Sequence, residues 1–263
     1  AKADVLRGMS GLSIENNYDI TRGAVNFYYN WGKHEINDGY SPGGTPRPYL
    51  FNSTDYMGGV NIYQSVGLFK GNTITGGFDV KLYGGNAYRD PVTEIYADHI
   101  ELHEIAGYLF VQQELGRFML NAGRRLENHK LYGNEWVPQA GVSFKAAEQT
   151  HLKFSASKGF RTPNMRELYM YASANEDLLP ERSWSYDFTV TQRLLDNRLS
   201  MEMSLYYIKG DNIVQVVTVD GNPQNQNVGE FINKCIELSL SYRILHNLSL
   251  NSNYSYLHMD TPI

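Results

Sequence analysis

The chain has 263 residues, a formal net charge of −5, 20 Tyr, and only 19% charged residues, below the usual quarter. No run approaches eighteen consecutive apolar residues, which excludes a transmembrane helix. The mixed charges form no basic stripe, which argues against a nucleic-acid partner, and the single Cys235 rules out an internal disulfide framework or a multi-cysteine metal site. Aromatics at 13% in a chain only 42% hydrophobic fit many short amphipathic strands better than a helical enzyme with a Leu/Ala core. The first residues, Ala1-Lys2-Ala3-Asp4, have no apolar signal segment, so the chain is expected to be mature, cytosolic, or cut from something longer.

Taken in order, nearly every segment alternates apolar and polar residues with the period of a half-buried strand. Leu12, Ile14, Tyr18 and Ile20 open the series, and Val25, Phe27, Tyr29 and Trp31 follow with Asn26 and Asn30 on the other parity. Val60 and Ile62 oppose Asn61 and Ser65; Ile74, Phe78, Val80 and Leu82 oppose Thr75, Asp79 and Lys81. The fifth segment, residues 100–115, is apolar on both parities and its facing stays open. Phe118, Leu120, Ala122 and Leu126 mark the sixth, and Trp136, Ala140, Val142 and Phe144 the seventh. Residues 152–158 and 184–190 supply the eighth and ninth. Leu199, Met201, Met203, Leu205 and Tyr207 against Ser200, Glu202 and Ser204 form the cleanest alternation, the tenth. Ile236, Leu238, Leu240, Tyr242 and Ile244 mark the eleventh, and Leu248, Leu250, Tyr254 and Tyr256 the twelfth. About twelve strands are expected.

The connections alternate as well. Tight turns are expected at 19–23, 67–72, 115–117, 146–150, 195–198 and 245–247, and longer loops at 32–55, 84–98, 128–134, 159–182 and 209–227. Short turns at one rim and long loops at the other predict an up-and-down antiparallel sheet, whereas Greek-key crossings would scatter the loop lengths. The polar parity is rich in Ser, Thr, Asn and Gly, and the apolar parity ends in aromatics such as Trp31, Trp136, Trp184 and Tyr207, as interfacial girdles require. The predicted class is all-β: an antiparallel up-and-down transmembrane β-barrel, with Leu199, Met201, Met203 and Leu205 facing lipid. A complete small pore, an autotransporter-type translocator, and a soluble carbohydrate-binding β-protein are the alternatives.

The run Leu152 to Pro163 (LKFSASKGFRTP), then Arg166-Glu167-Leu168-Tyr169, then Leu179-Pro180-Glu181 leading into Trp184-Ser185-Tyr186, resembles the barrel of TonB-dependent outer-membrane receptors. Tyr108 to Glu114, Asn121 to Arg125, Trp136 to Gly141 and Asn233 to Leu238 are similar to further strands of that family, which usually has Gly where this chain has Cys235. The resemblance implies a non-enzymatic receptor in the bacterial outer membrane, embedded in membrane lipid. Its ligand would be a scarce, bulky nutrient such as an iron-siderophore, haem-like or corrinoid compound. It also implies a 22-stranded barrel around a plug domain through which the TonB complex supplies energy. About twelve of those strands and no plug are legible, so residues 1–263 are expected to be part of such a barrel, an internal piece cut at two outer loops.

Catalysis finds little support: no Gly-x-Ser-x-Gly, P-loop or dinucleotide pattern occurs, and no cofactor is called for. His99 and His103 would need further ligands to hold zinc, and Asp90, Glu94 and Asp98 lack EF-hand spacing. Phe160-Arg161-Thr162-Pro163 with Asn175-Glu176-Asp177-Leu178 resembles paired motifs of haem receptors, but no His lies between Arg161 and Arg182, so the substrate stays unassigned. Ligand contact is expected from loop residues: Tyr40, Tyr49, Tyr88, Tyr132, Tyr169 and Tyr171, with Arg161, Arg166, Glu167 and Asn175. Tyrosine offers a flat apolar face with a hydroxyl handle at small entropy cost. The competing role is that Phe160, Arg161 and Pro163 shape the strand exit, with Arg161 paired inside the lumen.

Overall fold

The computed structural model describes residues 2–37, 43–91 and 94–260. Twelve antiparallel strands form one sheet in strict chain order, each hydrogen-bonded to its sequence neighbours. They are β1 (Lys2–Asn17), β2 (Thr21–Asn37), β3 (Leu50–Val66), β4 (Asn72–Asp90), β5 (Ile95–Leu115), β6 (Phe118–His129), β7 (Gly133–Ala147), β8 (Thr150–Arg161), β9 (Glu181–Leu194), β10 (Leu199–Val219), β11 (Asn222–Leu245) and β12 (Leu248–Asp260). One short helix, α1 (Met165–Tyr169), lies in the β8–β9 connection. Among the described residues β1 and β12 pair with nothing beyond β2 and β11, so the sheet has two open edges.

Register explains the two parities. Phe27 lies opposite Val60, Val60 opposite Val80, and Leu205 opposite both Phe188 and Ile236, so apolar rows run across the outward face. The aromatic ends meet there too: Trp184 stacks on Tyr186, and the Tyr186 ring meets Tyr207, with all three rings exposed. At the short-turn rim Phe118 and Phe144 stack at 4.6 Å. Both zones suit rings that prefer a membrane interface. Gly58 makes room for one of these rings, since a Cβ there would sit 2.9 Å from the Tyr29 side chain.

On the opposite, lumen-facing side the polar parity bonds across strands. Ser13 donates to Asn26 at 2.8 Å, Asn26 to Asn61 at 3.3 Å, and Asn61 to Asp79, which also pairs with Arg125. Thr189 and Ser204 share a bond of 3.0 Å farther round. Fully buried apolar residues are few, and the two largest with almost no exposure are Leu168 and Leu178, both in the β8–β9 connection. Among the described residues the sheet has only a small buried apolar cluster, Phe51, Ala87 and Ala97, and most of its apolar surface points outward.

The expected short turns all appear, but the long connections are shorter than expected. Residues 209–227 are the upper parts of β10 and β11, joined at Asp220-Gly221 with φ of 50° and 82°. Two successive positive φ values are what a two-residue hairpin of type I′ needs, and Asp-Gly is its usual sequence. Likewise β4 extends to Asp90 and β5 starts at Ile95, while β6 and β7 are separated only by residues 130–132. Of the connections expected to be long, residues 162–180 form the longest described in full. Alternation stops above the aromatic zone because neither face meets lipid there, yet the backbone ladder continues. The outward parity itself turns charged past the rings: Lys33 and Glu35 follow Trp31, and Lys209 follows Tyr207 and pairs with Glu230 at 2.7 Å. The fifth strand also resolves, with Ile105 and Leu109 outward and Glu104 and Ala106 toward the lumen.

Met203 lies in the middle of the outward row of β10, opposite Val190 and Leu238. Met203→Arg is expected to weaken assembly by about 2–4 kcal/mol, the cost of a lipid-facing arginine near the bilayer midplane. Equilibrium folding into phosphatidylcholine vesicles, read by heat-modifiable gel mobility, checks this; Ser204→Arg on the other parity reports whether the penalty is specific to the outward face.

Candidate functional site

The β8–β9 connection builds the site. Pro163 ends β8, since its ring removes the N–H a ladder needs. Asn164 then caps α1: its side chain accepts from the Glu167 N–H at 3.0 Å while the Glu167 carboxylate accepts from the Asn164 N–H at 2.8 Å. This reciprocal capping box satisfies two otherwise orphaned donors and fixes where the short helix starts. Arg161, at the end of β8, holds both ends of the connection. It donates to Glu167 at 2.9 and 3.1 Å and, through two parallel bonds of 2.7 Å, to Glu181 at the start of β9. The two carboxylates push the Arg161 guanidinium pKa up, and the Arg161 hydrogen bonds hold the Glu181 carboxyl below its ordinary value. Glu181 also accepts from the Val214 N–H at 2.7 Å, tying in β10.

The far side of the connection is laced to β11 by asparagines. The Asn225 side chain donates to the Glu167 carbonyl at 3.0 Å, its N–H donates to the Ser173 carbonyl at 2.7 Å, and its carbonyl accepts from Asn175 at 2.8 Å. Asn227 exchanges two bonds with the Leu179 backbone, at 2.7 and 2.9 Å. Leu168 and Leu178 are the buried apolar pegs between these ties.

After α1 the chain reaches across to β3–β5. Tyr171, at φ 70°, stacks on Phe51 at 6.0 Å and 25° and meets Tyr96 at 5.6 Å. Tyr169 and Met170 pack on the cluster of Phe51, Ala87 and Ala97, and burial raises the Tyr169 hydroxyl pKa. Arg89 lies over the Tyr49 ring at 4.5 Å and over Tyr96 at 5.4 Å, and Arg166 lies over Tyr171 at 5.4 Å. Met165, on the inner side of α1, lines a cavity of about 490 Å³ with Arg7, Asn30, Asp55, Met57 and Tyr83 of β1–β4. A segment between β8 and β9 can touch β1–β4 only if the sheet curves into a trough, so α1 hangs over the concave face.

The structure brings together Tyr49, Tyr169, Tyr171 and Arg166 around one aromatic cluster, and Arg161, Glu167 and Asn175 in the bonds that hold it. Arg161 and Glu167 spend their polar atoms on each other and on Glu181, so their visible work is positioning. Tyr132, in the β6–β7 turn, stands 4.9 Å from the His129 ring; its hydroxyl is buried without a hydrogen-bond partner among the described residues, and burial pushes its pKa up to about 12. Tyr88 has the parity opposite to Arg89 and does not join the cluster. Tyr40 lies outside the described residues. Reasoning from loops missed the cavity wall. Arg7 pairs with Asp55 at 2.7 Å, and His34 contacts the same carboxylate at 3.1 Å. The signal was present: all three sit on the polar parity near the long-loop ends of their strands. Among the described residues no group of His, Cys, Asp and Glu converges to hold a metal ion.

Leu168→Ala is expected to loosen the connection at a cost of about 2–5 kcal/mol, the range for emptying a packed leucine site, without dissolving the sheet. A nitroxide at Ala172 reads this as a rise in spin-label mobility. The same label reads the Arg161–Glu181 pair. With Glu181 below its ordinary value of 4.5 when folded, the ion pair contributes fully above that value and is lost as pH falls through the folded one. Mobility at Ala172 should therefore stay flat from pH 8 to about 5 and rise only in stronger acid.

Residues 5–262 match the family model for the TonB dependent receptor-like β-barrel. A metal-pseudopaline receptor, CntO, of Pseudomonas aeruginosa (strain UCBPP-PA14) is 28% identical over 169 residues, which is 61% of this chain and 23% of that receptor. The vitamin B12 transporter BtuB of Photobacterium profundum is 27% identical over 114 residues, 41% of this chain and 19% of the transporter. In fold, the siderophore receptor PirA of Pseudomonas aeruginosa superposes with a TM-score of 0.78 at 16% identity, covering 98% of this chain and 51% of that one. The chain thus spans about half the length of a solved receptor and a smaller share of the curated relatives it matches.

Proposed function

The chain belongs to the TonB-dependent receptor β-barrel family of the outer membrane, and on that premise we propose that it carries the outer mouth of a receptor for a chelated metal or similar bulky nutrient. The observation that carries this reading is the anchored β8–β9 connection, which suspends α1 over a cavity walled by Arg7, Asn30, Asp55 and Tyr83. A ligand entering there meets flat aromatic faces (Tyr49, Tyr96, Tyr171), a guanidinium with no carboxylate partner among the described residues (Arg166), and the polar wall below. That combination suits a large polar chelate, iron-siderophore or corrinoid, which needs shape and several polar contacts at once. The named relatives, receptors for a metal-pseudopaline and a siderophore and a transporter of vitamin B12, fit the same size class.

Two further elements belong to the proposal. The open edges at β1 and β12 would be paired by more strands, closing a barrel of 22. Residues 1–263 are then one part of the barrel domain, and an exposed edge of this length is an association hazard without that pairing. Transport would draw energy from TonB through a plug seated against the lumen-facing polar rows. Binding and transport then separate cleanly.

In cells carrying the full-length receptor, loss of TonB is expected to abolish uptake of the matching ferric chelate while leaving surface binding intact. Screening a panel of labelled ferric siderophores and cobalamin identifies that ligand. Tyr171→Ala should weaken its binding about three- to tenfold, the worth of one aromatic stacking contact. Tyr88→Ala, on the opposite parity, should leave binding unchanged. Equal loss at both positions, or uptake that persists without TonB, would reject the reading.

A further inference from the structure

Arg124 is out of place by the rules that organise the rest of the wall. On β6 the outward row reads Phe118, Leu120, Ala122, Arg124, Leu126, so the guanidinium starts from the lipid-facing parity, one step on the short-turn side of Leu126 and its partner Trp136. Its cross-strand neighbours are Leu109 and Pro138, both apolar. On the outward parity of β2, β10 and β11 charge begins only at the aromatic level or beyond it, as at Lys33 after Trp31, Lys209 after Tyr207 and Lys234 opposite Tyr207. An ionised side chain at such a depth is costly unless it reaches polar groups at the interface.

Nor does the protein supply an anion. Arg125, the next residue but on the lumen side, is held by Asp79 and Glu127. Lys158 and Arg182 both converge on Glu135. Arg124 lies over the Trp136 ring at 5.1 Å, and among the described residues its side chain has no other partner. No carboxylate occurs on the outward parity of β6 or β7, because Glu127 and Glu135 both carry the lumen parity. A cation–π contact leaves the N–H groups of a guanidinium free to donate, and that planar fork matches two oxygens of a phosphate.

We propose that Arg124, supported by Trp136, is a docking point for the phosphate of an anionic lipid headgroup in the leaflet that meets the long-loop rim. The occupant is a membrane amphiphile because this face opens to lipid and not to the lumen. Its acyl chains would lie over Leu109, Ala122 and Leu126, and its phosphate would take the position that carboxylates fill for the neighbouring cations. The site is separate from the nutrient cavity, being on the other side of the wall.

Native mass spectrometry of the full-length receptor in detergent tests this, with phosphatidylglycerol as the anionic probe and phosphatidylcholine as the zwitterionic comparison. Wild type is expected to retain phosphatidylglycerol several-fold over phosphatidylcholine, Arg124→Gln to lose that preference, and Lys153→Gln, on the lumen parity, to keep it. Equal retention of the two lipids by wild type, or an unchanged preference in Arg124→Gln, overturns the proposal. Should Arg124→Gln fail to assemble, Arg124→Lys decides. It keeps the charge and loses the fork, so retention should fall at least twofold, and undiminished retention is the refuting result.

Discussion

Backbone hydrogen bonding in hydrocarbon is the constraint on which everything else in this chain rests. An unpaired N–H or C=O inside a bilayer costs several kcal/mol, so each strand must find partners on both sides. Pairing every strand with its sequence neighbours is the simplest solution, and it yields the meander from β1 to β12. Once that ladder is laid, the period of two decides the rest. One parity faces lipid and becomes apolar; the other faces the lumen and becomes Ser, Thr, Asn and charge. The stability that a soluble domain takes from a buried core comes here from an outward apolar surface and from inward polar rows such as Ser13, Asn26, Asn61 and Asp79.

Above the membrane that constraint lapses, and the structure changes character. The strands continue, but with charge on the outward parity, and the tightest apolar burial appears in a loop. Leu168 and Leu178 are more buried than any other large side chain described. A connection of 162–180 left free would sample many conformations. The capping box, the Arg161 fork, the Asn225 and Asn227 ties and the Phe51–Tyr96–Tyr171 contact together cost it that freedom. Pre-ordering of this kind would serve the binding proposed above, because less entropy is then lost on complex formation.

Arg161 illustrates how a motif residue can matter through the contacts it makes within the fold. Its side chain joins the end of β8, the helix and the start of β9, so the geometry of the connection depends on it. Arg166, five residues on, has the opposite profile: it lies over Tyr171, without an ion pair among the described residues. Both were legible as loop cations. Their different roles depend on where Glu167 and Glu181 stand, and chain order alone does not give that. Arg124 shows the converse. Pairing register places it on the lipid parity, and its lack of a carboxylate could be judged only once the positions of Glu127 and Glu135 were known.

Local pattern along the chain was enough to establish the strand count, the order of pairing, the short turns and the inward and outward faces of every strand but the fifth. A period of two, turn residues and aromatic strand ends carry that information. Pattern failed at the places where strands stop, because the end of alternation is not the end of pairing. The turn at Asp220-Gly221 shows the ladder outlasting the pattern. Other features emerged only on folding: Tyr171 meets Phe51, Tyr88 turns away from that cluster, and Met165 sits over Arg7 and Asp55. Those contacts join residues far apart in the chain across a curved sheet. Their geometry is set by the curvature and by the anchored loop, neither of which leaves a periodic trace in the sequence.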